Sequence, residues 1–528
     1  MGNDSERFRI EISNDSEPIR EDKPSEEERN VQWYRQAEMD RQEAYKKILG
    51  RSIDTEDDPS DNTTSGSAFV THKQVEQDWT RKDIEVWLKK SKEFANLRKS
   101  PPETAPESPH REEILPPGSL VGLDNRCMVD GRGSYIPLGF TMMWAMWGYR
   151  HRRENFEENL SFLKSLGVFD YARIITNVTD RKDTAMDYWD GKGIDPKWHD
   201  YDEVFTGTID TLWKYGFRTE VTIIGSAEGY GDLKTQAARL NHTMRVCNLI
   251  NHRKSYIQLV EVVNEAYNIG IEYASDIAEL VRAAKKLCPD LPLAASSPAG
   301  GDKDTENIQE LFKEACPANV NTIHFARKPW EDNYRHCRQP WEVQYWKDVP
   351  TFFSSNEPRN IHEADFSSEL IAMDLANTLI SGGGTMVFHC NEGVRGDRNF
   401  WEAPRIKKIC EALGNVKKIL PRNIANGTRY NHHWKDHPFD GLEDQVWTDG
   451  HNKGMVRCYA SRIDNIYWVV PMGIKERIEF VPKFNMEVSV YDPTESDKPI
   501  NIYTAHQDSV QTLRSSNSRS YILKVKPV

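Results

Sequence analysis

The chain has 528 residues and a net charge of −13 at neutral pH, with a pI near 5.7. That length predicts two folded domains plus extensions, and that charge argues against nucleic acid or another polyanion as the main partner. The eight cysteines are scattered singly with no C-x-x-C pair, a pattern of reduced, buried thiols rather than of a zinc site.

Residues 1–116 are rich in Glu, Asp, Ser, Pro and Arg and poor in aliphatics. Two stretches read as helical, Glu26–Leu49 and His72–Leu97. The second carries Val75, Trp79, Ile84, Trp87, Leu88 and Phe94 as an amphipathic stripe. Linker-like runs follow each of them, at 54–60 and 100–106. This partly helical, partly extended arm is either a disordered tail or a segment that orders on a partner or along the body of the protein.

From 117 to 415 strand-like and helix-like segments alternate. The predicted strands are Tyr135–Thr141, Tyr171–Ile175, Thr219–Ile224, Gln258–Asn264, Leu291–Ser297, Asn321–Phe325, Thr351–Asn356 and Gly384–His389. Helices are predicted between them, at Glu154–Leu166, Tyr201–Tyr215, Leu233–Asn251, Tyr273–Leu287, Thr305–Cys316 and Ser367–Ser381. Eight such strands over about 300 residues predict a (β/α)8 TIM barrel. Residues 416–528 change to short alternating strands punctuated by turn residues, which predicts a C-terminal β-sandwich.

The fourth strand, largely hydrophobic, ends abruptly in Asn264 and Glu265. A carboxylate at the mouth of a buried strand is rigid and partly desolvated, which suits proton exchange near neutral pH. Asn264 beside it offers an amide to a sugar hydroxyl. The seventh strand also ends in a carboxylate, Glu357. In a TIM barrel both glutamates fall at the C-terminal strand ends where catalytic groups sit, and two such carboxyls are what acid-base cleavage of a glycosidic bond requires.

With these residues in these positions the chain resembles the clan A glycoside hydrolases, retaining barrel enzymes with catalytic glutamates on strands four and seven. The resemblance covers about residues 117–400. It implies that Glu265 is the acid/base and Glu357 the nucleophile. It further implies that Arg173 on strand two supports the nucleophile and that His324 on strand six lies near it. Strand eight departs from the pattern: a Trp commonly ends it and floors the sugar site, whereas here it runs into His389-Cys390-Asn391-Glu392. Trp401 is expected to substitute and Trp144 to line the cleft, while Glu392 and Glu363 are rival carboxylates. No metal or organic cofactor is needed.

The polar N-terminus has no apolar core of a secretory signal, and no apolar run approaches a membrane span. The expected locations are the cytoplasm or the surface of a phage particle. The alternative reading is therefore a virion or other assembly protein. Its barrel would be a glycan-binding or degenerate hydrolase module, anchored to an assembly partner through the N-terminal arm.

Overall fold

The computed structural model describes residues 119–528 apart from 179–191, 226–232, 267–270, 272, 297–315, 325–352, 357–367, 432–435, 441–445, 450–451, 456, 473–476 and 515–520. The predicted N-terminal arm and the Thr305–Cys316 helix thus lie outside the described residues, apart from Cys316 itself.

The described chain opens with an antiparallel sheet of three short strands, β1 (Gly122–Asp124), β2 (Cys127–Asp130) and β3 (Gly133–Tyr135). The first barrel strand, β4, is only Leu138–Thr141, because Tyr135 belongs to β3 and Pro137 cannot donate to a ladder. The barrel continues through β5 (Tyr171–Ile175), β6 (Arg218–Ile224), β7 (Ile257–Val263) and β8 (Leu293–Ser296). It is completed by β9 (Val320–His324), β10 (Phe353–Asn356) and β11 (Thr385–Phe388). All eight pair in parallel and in chain order, and β11 returns to β4, so the sheet is closed.

The helices around it follow from their apolar stripes. They are α1 (Ala145–His151), α2 (Arg153–Leu166), α3 (Tyr201–Lys214), α4 (Gln236–Ile250), α5 (Ala274–Leu287) and α6 (Ser368–Ile380). Two follow β11, the short α7 (Asn391–Arg395) and the longer α8 (Ile406–Ile419). Helix α2 stops at Gly167, whose φ of 67° closes a left-handed cap, and α4 starts on Thr235, whose hydroxyl accepts from the Ala238 amide. Outward strand residues such as Phe140, Ile174, Val221 and Val262 join helix residues such as Phe156, Phe205 and Leu280 in one buried cluster. The boundary expected at 415 falls inside α8, whose Ile409, Leu413 and Val416 are part of that cluster.

The N-terminal end of the barrel is plugged. Val121, just before the opening sheet, and Met128 and Tyr135 within it pack on Leu259, Ala294 and Val320 from inside the barrel. The Tyr135 hydroxyl meets Gln258 at 3.1 Å, and Arg218 pairs with Asp130 at 3.1 Å. Closure here leaves the opposite, C-terminal end for chemistry.

Beyond α8, after one 3-10 turn at Ile424–Asn426, the described elements are strands. A six-stranded antiparallel sheet joins Thr428–Asn431, Arg457–Ile463, Ile466–Met472, Ile522–Pro527, Met486–Tyr491 and Pro499–Ala505 in that spatial order. A smaller sheet of Phe439–Asp440, Arg477–Pro482 and Gln511–Arg514 accompanies it. Phe439, Phe480, Val469, Val488 and Leu523 share the core of this region. Tyr459, Trp468, Val470 and Ile522 instead join the barrel's cluster, so the large sheet is built onto the helical layer.

Candidate active site

The interior of the barrel is polar toward its C-terminal end. Alternation along β5 turns Tyr171 and Arg173 inward, and the Tyr171 ring needs the space left by Gly139 on β4. A Cβ there would lie 2.4 Å from the ring. The Tyr171 hydroxyl meets Thr385 of β11 at 2.8 Å across the barrel. One level up, Arg173 is fully buried with Glu220 of β6 and Glu261 of β7.

The guanidinium is held by specific bonds. Its Nη2 donates to Glu261 Oε2 at 2.7 Å and to Asn264 Oδ1 at 2.6 Å, and its Nε donates to the same Glu261 oxygen at 3.2 Å. Glu220 lies 3.4 Å from Nε, and Thr222 donates its hydroxyl to Glu261 Oε2 at 2.6 Å. Burial alone would lower the pKa of Arg173. The charges of Glu261 and Glu220 outweigh it and raise the pKa, and Glu265 adds to the same field. Arg173 is therefore a permanent cation beneath the mouth.

Above it the chain leaves β7. The Asn264 amide N–H donates to the Ile224 carbonyl at 2.8 Å, prolonging the ladder by one residue. Glu265 then turns sharply, with φ at +43°, in the left-handed region that costs a side-chain-bearing residue about 1–3 kcal/mol. Its backbone N–H donates to Ser296 Oγ at the end of β8, 3.1 Å away. Both Asn264 and Glu265 are half-buried, open enough for a ligand to reach.

The other expected site residues divide. The backbone register sets His324 at the end of β9 opposite Asn356, the last residue of β10. Glu357 is the next residue in the chain and lies outside the described residues, as does Glu363. Trp144 is a correction: it is 3% exposed, its indole N–H donates to the Glu392 carbonyl at 2.8 Å, and its ring lies against Gly396 and Phe156. It packs between α7 and α2 and is not a cleft surface. Trp401 is 41% exposed, and its ring meets the edge of Phe162 on the outer helix α2. That is a contact on the flank of the barrel, so Trp401 does not replace the strand-eight tryptophan. The inward position there belongs to His389, in hydrogen-bond contact with Thr141 at 3.2 Å. Glu392 is buried and ion-paired to Arg398 at 2.6 Å.

Glu220, Glu261, Thr222 and Ser296 are site components that the sequence reading did not single out. For Glu261 the only signal was a carboxylate in the middle of an otherwise largely apolar strand, which gains meaning once Arg173 is known to face it. Among the described residues no cluster of His, Cys, Asp or Glu is arranged to hold a metal ion, and no helix is long and apolar enough to cross a membrane.

Similarity to known proteins is carried by shape. No family model and no curated protein matches the sequence. Among solved structures, one described as a glycoside hydrolase superposes with a TM-score of 0.55 at 12% identity, over 78% of this chain and 96% of the other. A family 5 glycoside hydrolase from Bacteroides vulgatus gives 0.54 at 11% identity, over 78% and 92%. The shared fold is the (β/α)8 barrel of these two glycoside hydrolases. At these identities the likeness is one of architecture.

Proposed function

We propose that this protein is a retaining glycoside hydrolase acting on an oligo- or polysaccharide, with the barrel through α8 as its catalytic unit and the antiparallel sheets after α8 bracing it. The observation that carries the reading is the end of the fourth barrel strand. There Asn264 is clamped by a buried arginine, and Glu265 is turned into a strained, half-open position directly after it.

In the first step a carboxylate oxygen of Glu357 attacks the anomeric carbon while the bond to the leaving oxygen breaks. Glu265 gives that oxygen its proton. In the second step Glu265 takes a proton from water, whose oxygen displaces Glu357 and releases the sugar with its configuration retained. This requires the two carboxyls to stand ~5–5.5 Å apart; ~6.5–9.5 Å is the inverting geometry. Asn264 already spends its Oδ1 on Arg173, which leaves its NH2 as the group to offer a substrate hydroxyl. His324 lies beside the seventh strand's end and serves as a substrate contact.

The test is hydrolysis of a panel of aryl glycosides and polysaccharides by the wild type, Glu265→Gln and Glu357→Gln. Loss in both variants supports the assignment. Equal behaviour of all three proteins would sink the enzymatic reading.

A further inference from the structure

We infer that Glu261 is a positioning residue of this site, acting through Arg173 to set the side chain of Asn264 and, with it, the turn that presents Glu265. The inference rests on the hydrolase reading for its kinetic consequence, but its structural content stands on the hydrogen bonds alone.

The chain of contacts is short. Thr222 donates to Glu261 Oε2, that oxygen receives both Nε and Nη2 of Arg173, and the same Nη2 reaches Asn264 Oδ1. A planar guanidinium with two of its nitrogens on one oxygen has its in-plane rotation fixed. The direction of the remaining Nη2 proton is thereby fixed as well, and Asn264 is what it meets. The second carboxylate, Glu220, makes the longer contact with Arg173, at 3.4 Å from Nε. Among the described residues two carboxylates thus flank the cation, and Glu261 makes the closer contact with it.

Stability does not account for this arrangement. Burying two carboxylates and a guanidinium carries a desolvation penalty that such pairs often fail to recover relative to apolar residues of the same volume. A left-handed glutamate persists only where its surroundings over-determine it. The surroundings here are the Arg173 bond to Asn264, the Asn264 amide on Ile224 and the Glu265 amide on Ser296. Removing the charge of Glu261 would re-centre Arg173 on Glu220 and draw Nη2 away from Asn264.

The experiment uses the full chain with 15N-labelled asparagine, comparing the wild type, Glu261→Gln and the near-isosteric Thr222→Val. The Asn264 side-chain amide is assigned by its loss in Asn264→Asp. Hydrolysis by the wild type and Glu265→Gln is measured in parallel. In a folded Glu261→Gln protein the expected result is a shifted or broadened Asn264 amide signal. Its kcat should fall by about 10–100-fold, the scale of a roughly 1 Å misplacement of a catalytic group, with KM little changed. Thr222→Val should move the same signal less, and it decides the matter where Glu261→Gln does not fold. An Asn264 amide unmoved in the folded variant overturns the inference whether or not the protein hydrolyses anything. A moved amide in a protein without hydrolysis upholds the positioning and removes the hydrolase reading.

Discussion

Arg173 Nη2 stands 2.7 Å from Glu261 and 2.6 Å from Asn264, so one buried nitrogen joins the packed interior of the barrel to its working end. Among the described residues its hydrogen bonds run to Glu261 and Asn264 at the fourth strand; Glu357, the carboxylate it is expected to support, lies outside the described residues.

Arg173→Met is expected to leave Glu261 and Glu220 as buried charges without their cation. Breaking a buried pair in this way costs about 3–5 kcal/mol, read as a lower urea midpoint. Arg173→Lys keeps the charge but lacks the fork that reaches Glu261 and Asn264 together. It should retain more of the stability than Arg173→Met while losing most of the hydrolysis. Equal loss of stability in both variants would contradict the ion-pair account.

Covalent trapping with a fluorinated glycoside is expected to label the peptide that contains Glu357. The rival Glu392 is buried and already ion-paired to Arg398. Mass-spectrometric recovery of the label on Glu392 would overturn both the nucleophile assignment and the proposed mechanism.

His242 gives stability a pH dependence unrelated to catalysis. It is buried on α4, its Nε2 lies 3.0 Å from Thr176 Oγ1, and burial pushes its pKa down to about 4 from an ordinary 6.5. The folded form therefore favours the neutral ring. The associated stability is complete above pH 6.5 and is lost as pH falls toward 4, because there the unfolded chain binds the extra proton. The full loss is on the order of 3 kcal/mol. His242→Gln, titrated by urea unfolding from pH 7 to pH 4, should show a shallower slope than the wild type.

Gly139→Ala tests the packing across the barrel. The new Cβ would fall 2.4 Å from the ring of Tyr171, which is fully buried and hydrogen-bonded to Thr385. Overpacking of this kind typically costs about 1–3 kcal/mol. Tyr171→Leu in the same chain should relieve part of it in a double-mutant cycle. Additive effects would mean that the two residues do not compete for the space.

The barrel was legible because its strands announce themselves by composition. Tyr171–Ile175 and the run from Ile257 to Val263 are apolar or β-branched at nearly every position, as strands covered by helices must be. Asn264 and Glu265 were legible as polar residues ending such a run. Trp144 was not, because a large aromatic near a strand end reads alike whether it faces the cleft or a neighbouring loop. What decides it is Gly396, far along the chain, whose missing side chain makes room for the ring. Glu220 and Glu261 escaped for a related reason. A charge inside a strand is interpretable only once its partner is known, and Arg173 comes from a different strand.

The left-handed turn at Glu265 has a further consequence. Glycine adopts that conformation freely and asparagine more readily than glutamate does, so the stability optimum and the functional optimum at position 265 call for different residues. Glu265→Gly should abolish hydrolysis and at the same time raise the unfolding midpoint. A lineage released from selection for chemistry would then drift downhill at this position. Descendants that had become binding or assembly proteins should carry glycine or asparagine there.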